Sequence, residues 1–139
     1  MKRILTAIIL FAVCLLCYSQ QKPLTLGSTV ENLEKSQSRV LIPNNDLVES
    51  HDVMVDGVNY TIGIRDGKIV YIGTSDERFT VDNLQVGALI SRDLLGRELG
   101  YTPGWGYYIK MDSGWYAGLD FSKKPTEGTP IQFFFKYDF

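Results

Sequence analysis

Two Asp-Gly dipeptides, Asp56-Gly57 and Asp66-Gly67, flank one short alternating segment and constrain the fold more than any other feature of the chain. Asp-Gly favours the type I′ turn of a tight hairpin, because both central residues need positive φ. Side chains between the dipeptides alternate in character. Alternate positions are apolar (Val58, Tyr60, Ile62 and Ile64), and the positions between them are mostly polar (Asn59, Thr61, Gly63 and Arg65). This period of two predicts a strand buried on one face, in a meander with segments 53–55 and 68–74.

The second half of the chain carries weaker strand signals. Asp112-Ser113-Gly114 predicts a turn between strands at 106–111 and 115–121, and segment 123–129 reads as a loop. Segment 131–139 alternates as a last strand, with a predicted inward set of Ile131, Phe133, Phe135, Tyr137 and Phe139.

A tetrapeptide pattern occurs twice: Leu24-Thr25-Leu26-Gly27 and Leu84-Gln85-Val86-Gly87, 60 positions apart (84 minus 24). The first copy precedes Ser28-Thr29-Val30-Glu31, which matches a capping box and predicts a short helix. The second precedes a predicted helix at about 91–99, which Gly100 would stop. The alternative is a chance recurrence of a common tetrapeptide.

The order of elements predicts a duplicated α+β unit. We expect one domain at 20–139, made of two repeats at about 24–78 and 84–139. Each repeat would be a helix followed by three strands. Both would share one antiparallel sheet, with the helices packed on one of its faces.

The N-terminus predicts export. Lys2 and Arg3 precede an apolar run at 4–16, and small residues surround a cut after Ser19, which together are typical of a signal peptide at 1–19. The run is shorter than the roughly 20 residues of a spanning helix. We therefore expect a periplasmic or extracellular protein, with membrane attachment only if Cys17 is lipidated. Val13 and Leu16 precede Cys14 and Cys17, where a bacterial lipobox prefers Gly, Ala or Ser.

Charge argues against nucleic acid as a partner. Without Lys2 and Arg3, the chain has 12 basic residues (14 minus 2) against 16 acidic ones, a net charge of −4. Nucleic acids and anionic membrane surfaces favour clustered Lys and Arg, which this sequence lacks.

These features together resemble the tandem-repeat fold of the β-lactamase inhibitor proteins, and its single-unit form in the SmpA/OmlA family of small outer-membrane lipoproteins. The residues that carry the resemblance are Leu26-Gly27-Ser28-Thr29, Val86-Gly87-Ala88, Leu99-Gly100 and the link from Phe79 to Gly87. The resemblance implies the repeat architecture and a sheet face that bears aromatic residues and contacts a target. It assigns no functional residue.

Catalytic groups are sparse in the sequence. His51 is the only histidine, and its polar flanks predict an exposed loop without metal or catalytic partners. The carboxylates are scattered, so a hydrolase that uses a carboxylate pair is the less favoured alternative. We expect no enzyme activity, no cofactor and no metal.

Aromatic residues are the stronger functional lead, because 12 of the 17 lie from Tyr101 onward. Alternation predicts a core set of Tyr107, Trp115, Phe121, Phe133 and Phe135. The opposite set, Tyr108, Tyr116 and Phe134, with Lys110 beside it and Trp105 in a nearby loop, is the predicted recognition patch. The sequence thus predicts a binding module for an unidentified protein or glycan, with a structural envelope lipoprotein as the alternative.

Overall fold

The computed structural model describes residues 24–31 and 33–138. The predicted signal peptide, its cleavage site and both cysteines lie outside these ranges, as does Phe139. The described residues form ten strands and one helix: β1 (Arg39–Leu41), β2 (Leu47–Val55), β3 (Val58–Arg65), β4 (Lys68–Thr74), β5 (Thr80–Val81), β6 (Leu84–Gln85), α1 (Arg92–Leu95), β7 (Leu99–Thr102), β8 (Gly106–Lys110), β9 (Tyr116–Gly118) and β10 (Phe133–Tyr137).

Eight of these strands form one antiparallel sheet, in the order β1-β2-β3-β4-β10-β9-β8-β7. Strands β1–β4 make one meander and β7–β10 make another, and the two meet where β4 pairs with β10. At this junction Gly73 lies opposite Phe135. Strands β5 and β6 form a separate hairpin. Within the described ranges, no helix has the length and hydropathy needed to cross a bilayer.

The tight hairpins follow the turn chemistry of the sequence. Asp56 and Asp66 have φ of 49° and 53°, and the glycines after them are also positive, as a type I′ turn requires. A third turn of this kind, Asp82-Asn83, joins β5 to β6. The sequence analysis missed it, because Asn adopts positive φ less readily than Gly and signals such a turn less strongly.

The predicted α+β class is wrong, since the described residues contain a single helix of one turn in a nearly all-β structure. The first predicted helix is absent because its N–H groups bond to the sheet. The N–H groups of Gly27 and Val30 donate to Ile69 O and Gly67 O at the start of β4. The Ser28 hydroxyl donates to Thr25 O, three residues before it, at 2.6 Å and does not cap a helix.

The second predicted helix shrinks to α1. Ser91 caps it as expected, because its Oγ accepts from Leu94 N at 3.2 Å. Gly96 follows directly as the C-cap, and the residues predicted to end the helix pair with β8 instead, with Leu99 opposite Ile109. The pairing of β7 in the sheet therefore overrides local helix propensity.

The two copies of the tetrapeptide adopt the same local structure. Gly27 and Gly87 have φ of 80° and 90°. Their N–H groups donate to Ile69 O and Ile131 O, each at 2.8 Å. In both halves the segment then forms an isolated antiparallel bridge with a residue at, or just before, the start of the last strand of its meander. These segments, together with β5, β6 and α1, cover the outer face of the sheet.

The opposite face is enclosed because the sheet is curled and its two ends are tied together. Trp105 Nε1, in the β7–β8 turn, donates to Leu41 O of β1 at 2.8 Å. Thr102 Oγ1 of β7 donates to Pro43 O, just after β1, at 2.7 Å. The enclosed side holds a second core cluster, which includes Ile42, Val48 and Phe135.

Candidate functional site

Aromatic rings fill the enclosed side of the sheet, which we call the aromatic face. Phe135 lies at its centre with no exposed surface. The rings of Trp105, Tyr108 and Tyr116 stand 4.3, 5.6 and 5.0 Å from the Phe135 ring. The full set is Tyr71, Trp105, Tyr108, Tyr116, Phe133, Phe135 and Tyr137. Most of these rings stabilise the fold through their contacts with each other.

Strand glycines make room for these rings. Gly100 lies opposite Tyr108, and Gly118 lies between Tyr108 and Phe133 in the register. A Cβ atom at Gly100 would stand 2.2 Å from the Tyr108 ring, and one at Gly118 would stand 2.4 Å from the Phe133 ring. Each ring thus lies flat over the backbone of a neighbouring strand, which only glycine permits.

The hydroxyl groups of three tyrosines, Tyr108, Tyr116 and Tyr137, lie close together on the aromatic face. Burial raises the pKa of the Tyr137 hydroxyl well above its ordinary value, and the neighbouring Tyr108 and Tyr116 raise it further. The Tyr108 hydroxyl lies 3.5 Å from Thr102 Oγ1. The Tyr108 hydroxyl therefore adjoins the Thr102 bond to Pro43 O that joins the two ends of the sheet.

Four of the five predicted binding residues lie on or next to the aromatic face. Tyr108 and Tyr116 are half-buried and meet edge to face at 5.7 Å. Lys110 is exposed, with its Nζ 5.9 Å from the centre of the Tyr116 ring. Trp105 is only 8% exposed, because its indole packs inside the curl. Little of this surface is free for a partner.

The predicted place of Phe134 is wrong. It lies opposite Ala117, is fully buried, and packs in the outer-face cluster with Ile109. The prediction assumed that one alternation runs unbroken from Ile131. The strand begins only at Phe133, and Ile131 packs in the same outer-face cluster as Phe134, so the alternation is broken between them. Gln132 N donates to Gly118 O in the connection before the strand. Sequence alternation alone does not show such a break in parity.

A groove of about 380 Å³ adjoins the aromatic face and includes Tyr71 and Phe133 in its lining. Its lining combines rings with hydroxyl and amide groups: Val40, Thr61, Tyr71, Gly73, Thr74, Ser75, Phe121, Gln132 and Phe133. Phe121 is 65% exposed, which corrects its predicted place in the core. None of the lining side chains carries a formal charge.

Segment 119–132 presents the Phe121 side chain. Asp120 Oδ1 accepts from the N–H groups of Ser122 at 2.8 Å and Lys123 at 2.9 Å, which fixes the turn after Phe121. These bonds hold the pKa of the Asp120 carboxyl below its ordinary value, the Ser122 contact most of all. Gly106 lets this backbone approach, since a Cβ atom there would stand 2.9 Å from Asp120 O. The Asp-Phe-Ser sequence is an Asx-turn signal that the sequence analysis overlooked.

The rim of the groove offers free hydrogen-bonding groups. In the part of the chain that the structure describes, the exposed side chains of Ser75 and Gln132 make no hydrogen bond. Thr61 Oγ1 donates to Asp52 Oδ1 at 2.9 Å, and Thr74 Oγ1 donates to Asn59 O at 2.7 Å. Ser75 and Gln132 are therefore two exposed groups available to a ligand.

A polar cleft of about 520 Å³ adjoins the groove and shares Thr61, Thr74 and Ser75 with it. Asp52 and Asp76 both line it. The Arg78 guanidinium above all, together with the N–H groups of Asn59 and Arg78, holds the pKa of the Asp76 carboxyl well below its ordinary value. A glycosidase general acid needs a raised pKa, so the Asp76 carboxyl does not suit that role.

His51 lies in β2 and is half-buried, so its predicted loop position is wrong. Its Nε2 lies 2.9 Å from Glu49 Oε1, which also accepts from Ser36 N at 2.9 Å. The Ser36 N–H and the His51 ring lower the pKa of the Glu49 carboxyl. The pair fastens segment 36–38 to the sheet. Across the described ranges, no group of three or more His, Cys, Asp or Glu side chains is placed to hold a metal ion.

Comparisons with family models, curated proteins and solved structures find no match to this chain.

Proposed function

We propose that the protein is an exported, non-enzymatic binding module that recognises its ligand in the groove lined by Phe121, Phe133 and Gln132. The observation that carries the proposal is the 65% exposure of Phe121 beside a concave surface of further rings. Ligand sites are typically concave, largely apolar and equipped with a few polar groups, and this groove has those properties.

The groove suits recognition better than the tyrosine patch that the sequence predicts. Tyr108 and Tyr116 contact Phe135 and each other, so their removal would damage the core. Phe121, by contrast, is 65% exposed and packs against no other aromatic ring among the described residues. An exposed ring held on a turn ordered by Asp120 is available for contact at little cost in side-chain entropy.

Retention on immobilised protein tests the proposal. The envelope and culture-fluid fractions of the producing cell would be passed over wild-type protein, the Phe121→Ala variant and the Leu89→Ala variant. Leu89 is 64% exposed and bridges to Pro130 near the outer face, so this variant controls for nonspecific adsorption through exposed apolar side chains. We expect a component that wild type and Leu89→Ala retain and that Phe121→Ala loses. Equal retention by all three proteins would contradict a ligand site in the groove.

A further inference from the structure

The groove of the proposed binding module is electrically neutral, which narrows the class of its ligand. Its nine lining residues comprise aromatic, aliphatic, hydroxyl, amide and glycine residues. An anionic or cationic ligand would gain no charge pair with these residues. It would also have to shed part of its hydration, which is costly for a charged group. The lining therefore favours an uncharged ligand.

The groove lining combines aromatic rings with free polar groups. Phe121 and Phe133 supply ring surface, and the unpaired Ser75 hydroxyl and Gln132 amide supply hydrogen-bonding groups. The amide both donates and accepts hydrogen bonds, as does the hydroxyl. A pyranose ring matches this combination, because it has an apolar C–H face and an edge of hydroxyl groups that also donate and accept.

The backbone around the groove is a poor template for an extended peptide. Thr61, Tyr71, Gly73 and Phe133 belong to β3, β4 and β10, and each of these strands is paired on both sides. Val40 belongs to the edge strand β1, where the Trp105 indole already occupies Leu41 O. A peptide that binds by adding a strand needs a free sheet edge, because its affinity comes from main-chain hydrogen bonds. A lipid chain would fit a closed apolar tunnel, whereas this groove is open and has a polar rim.

We infer that the groove binds a neutral saccharide, with a sugar ring stacked on Phe121 and its hydroxyl groups bonded to Gln132 and Ser75. The inference rests on the proposed function and specifies the ligand of the same site. Stacking on an exposed ring contributes modestly, so affinity for one sugar unit is weak, and several units are needed for tight binding.

Titration of isotope-labelled protein with defined oligosaccharides, followed by NMR, tests this inference. The probes are maltohexaose, cellohexaose and chitohexaose, with oligogalacturonate as an anionic comparison. We expect at least one neutral probe to cause saturable shifts at the backbone amides of Ser75, Phe121 and Gln132. Trp105 supplies a second readout by fluorescence, because its ring stands 5.1 Å from that of Phe133.

Variants of Phe121 separate stacking from general apolar contact. Phe121→Tyr keeps an aromatic ring on which the sugar can stack and should bind like wild type. Phe121→Leu and Phe121→Ala should each weaken binding about fivefold, since an aromatic contact is worth about 1 kcal/mol. Gln132→Ala should weaken binding by a similar factor, and Leu89→Ala should leave it unchanged.

Three results would overturn the saccharide inference: no shift with any neutral probe, binding of oligogalacturonate alone, or full affinity in Phe121→Leu. If one of these occurs while Phe121→Ala still loses the retained component described above, the groove is a ligand site for another class of molecule. If retention is also independent of Phe121, both the saccharide inference and the proposed function fail.

Discussion

The indole Nε1 of Trp105 donates a hydrogen bond to Leu41 O at 2.8 Å and so joins the two ends of the curled sheet. The two residues are distant in sequence and lie in the turn between β7 and β8 and in β1. The same indole contacts Phe133 and Phe135, at 5.1 and 4.3 Å between ring centres. One side chain thus fixes both the curvature of the sheet and the packing of the aromatic face.

Replacing Trp105 should separate these two contributions. Trp105→Phe keeps a ring but leaves Leu41 O without its donor, and should lower the free energy of unfolding by about 1–3 kcal/mol. Trp105→Ala also removes the packing and should cost about 3–5 kcal/mol. Urea denaturation of both variants measures the difference. Tyr101→Phe, at a side chain that is 51% exposed, is the control and should be neutral. A Trp105→Phe protein as stable as wild type would show that the bond to Leu41 O contributes nothing.

Glycine replacements should test the packing of rings over strands. Gly118→Ala places a Cβ atom 2.4 Å from the Phe133 ring and should cost about 1–3 kcal/mol. Gly96→Ala is the matched control, since its nearest contact would be an ordinary 3.5 Å. At φ of −71° the alanine should be neutral or stabilising by up to about 1 kcal/mol.

A second substitution checks the cause of the Gly118 effect. Phe133→Leu removes the ring that meets the new Cβ atom, so Gly118→Ala should cost less in that background. Calorimetric melting of the four proteins in the cycle gives the coupling between the two sites. Strictly additive costs would mean that Phe133 is not what excludes a side chain at Gly118.

The sequence and the structure predict different effects on the melting temperature when the tyrosine patch is mutated. Sequence alternation describes Tyr108 and Tyr116 as a free surface, whose double replacement by alanine would leave the melting temperature nearly unchanged. The structure places both against the buried Phe135, so the double variant should melt several degrees lower. Tyr108→Phe with Tyr116→Phe keeps the rings and is the control. An unchanged melting temperature in the double alanine variant would restore the patch hypothesis.

The sequence predicted local chemistry well and long-range placement poorly. The turns at Asp56-Gly57 and Asp66-Gly67 and the cap at Ser91 follow from adjacent residues, and each is present. Whether Ser28 starts a helix depends on the backbone of β4, far along the chain, which offers its N–H groups better partners. Local propensity is a weak prior wherever a sheet competes for the same segment.

The candidate site was hard to predict for a similar reason. Phe121 reads as the end of a strand, but β9 ends at Gly118 and Asp120 starts a turn. The groove then combines Phe121 with Ser75 and Gln132, from three separate parts of the chain. Only the pairing of β4 with β10 brings them together, and that pairing has no signature in adjacent residues.

Alkaline pH should destabilise the protein through the buried Tyr71 and the half-buried Tyr137. Burial raises the pKa of Tyr71 and Tyr137 above the ordinary value of 10.0, and neighbouring tyrosines add to the shift at Tyr137. The stability linked to these groups is complete below the unfolded value of about 10, and is lost as pH rises above it. Absorbance titration should show these tyrosines ionising together with unfolding. Their ionisation near pH 10 in a protein that stays folded would show that the hydroxyls are accessible.

Acid pH should act through Asp76, whose carboxylate ties β3 to the turn after β4. Asp76 accepts from the N–H groups of Asn59 and Arg78, each at 2.9 Å, and pairs with the Arg78 guanidinium at 2.6 Å. Because these partners lower its pKa in the folded state, its contribution is present above the unfolded value of about 3.8 and is lost as pH falls below it. Asp76→Asn should therefore destabilise the protein at neutral pH and flatten the fall in stability below pH 4. Asp56→Asn is the control, since Asn also accepts the positive φ of that turn position. Denaturant midpoints measured from pH 7 to pH 2 report both effects, and the idea fails if Asp76→Asn and wild type lose stability in parallel.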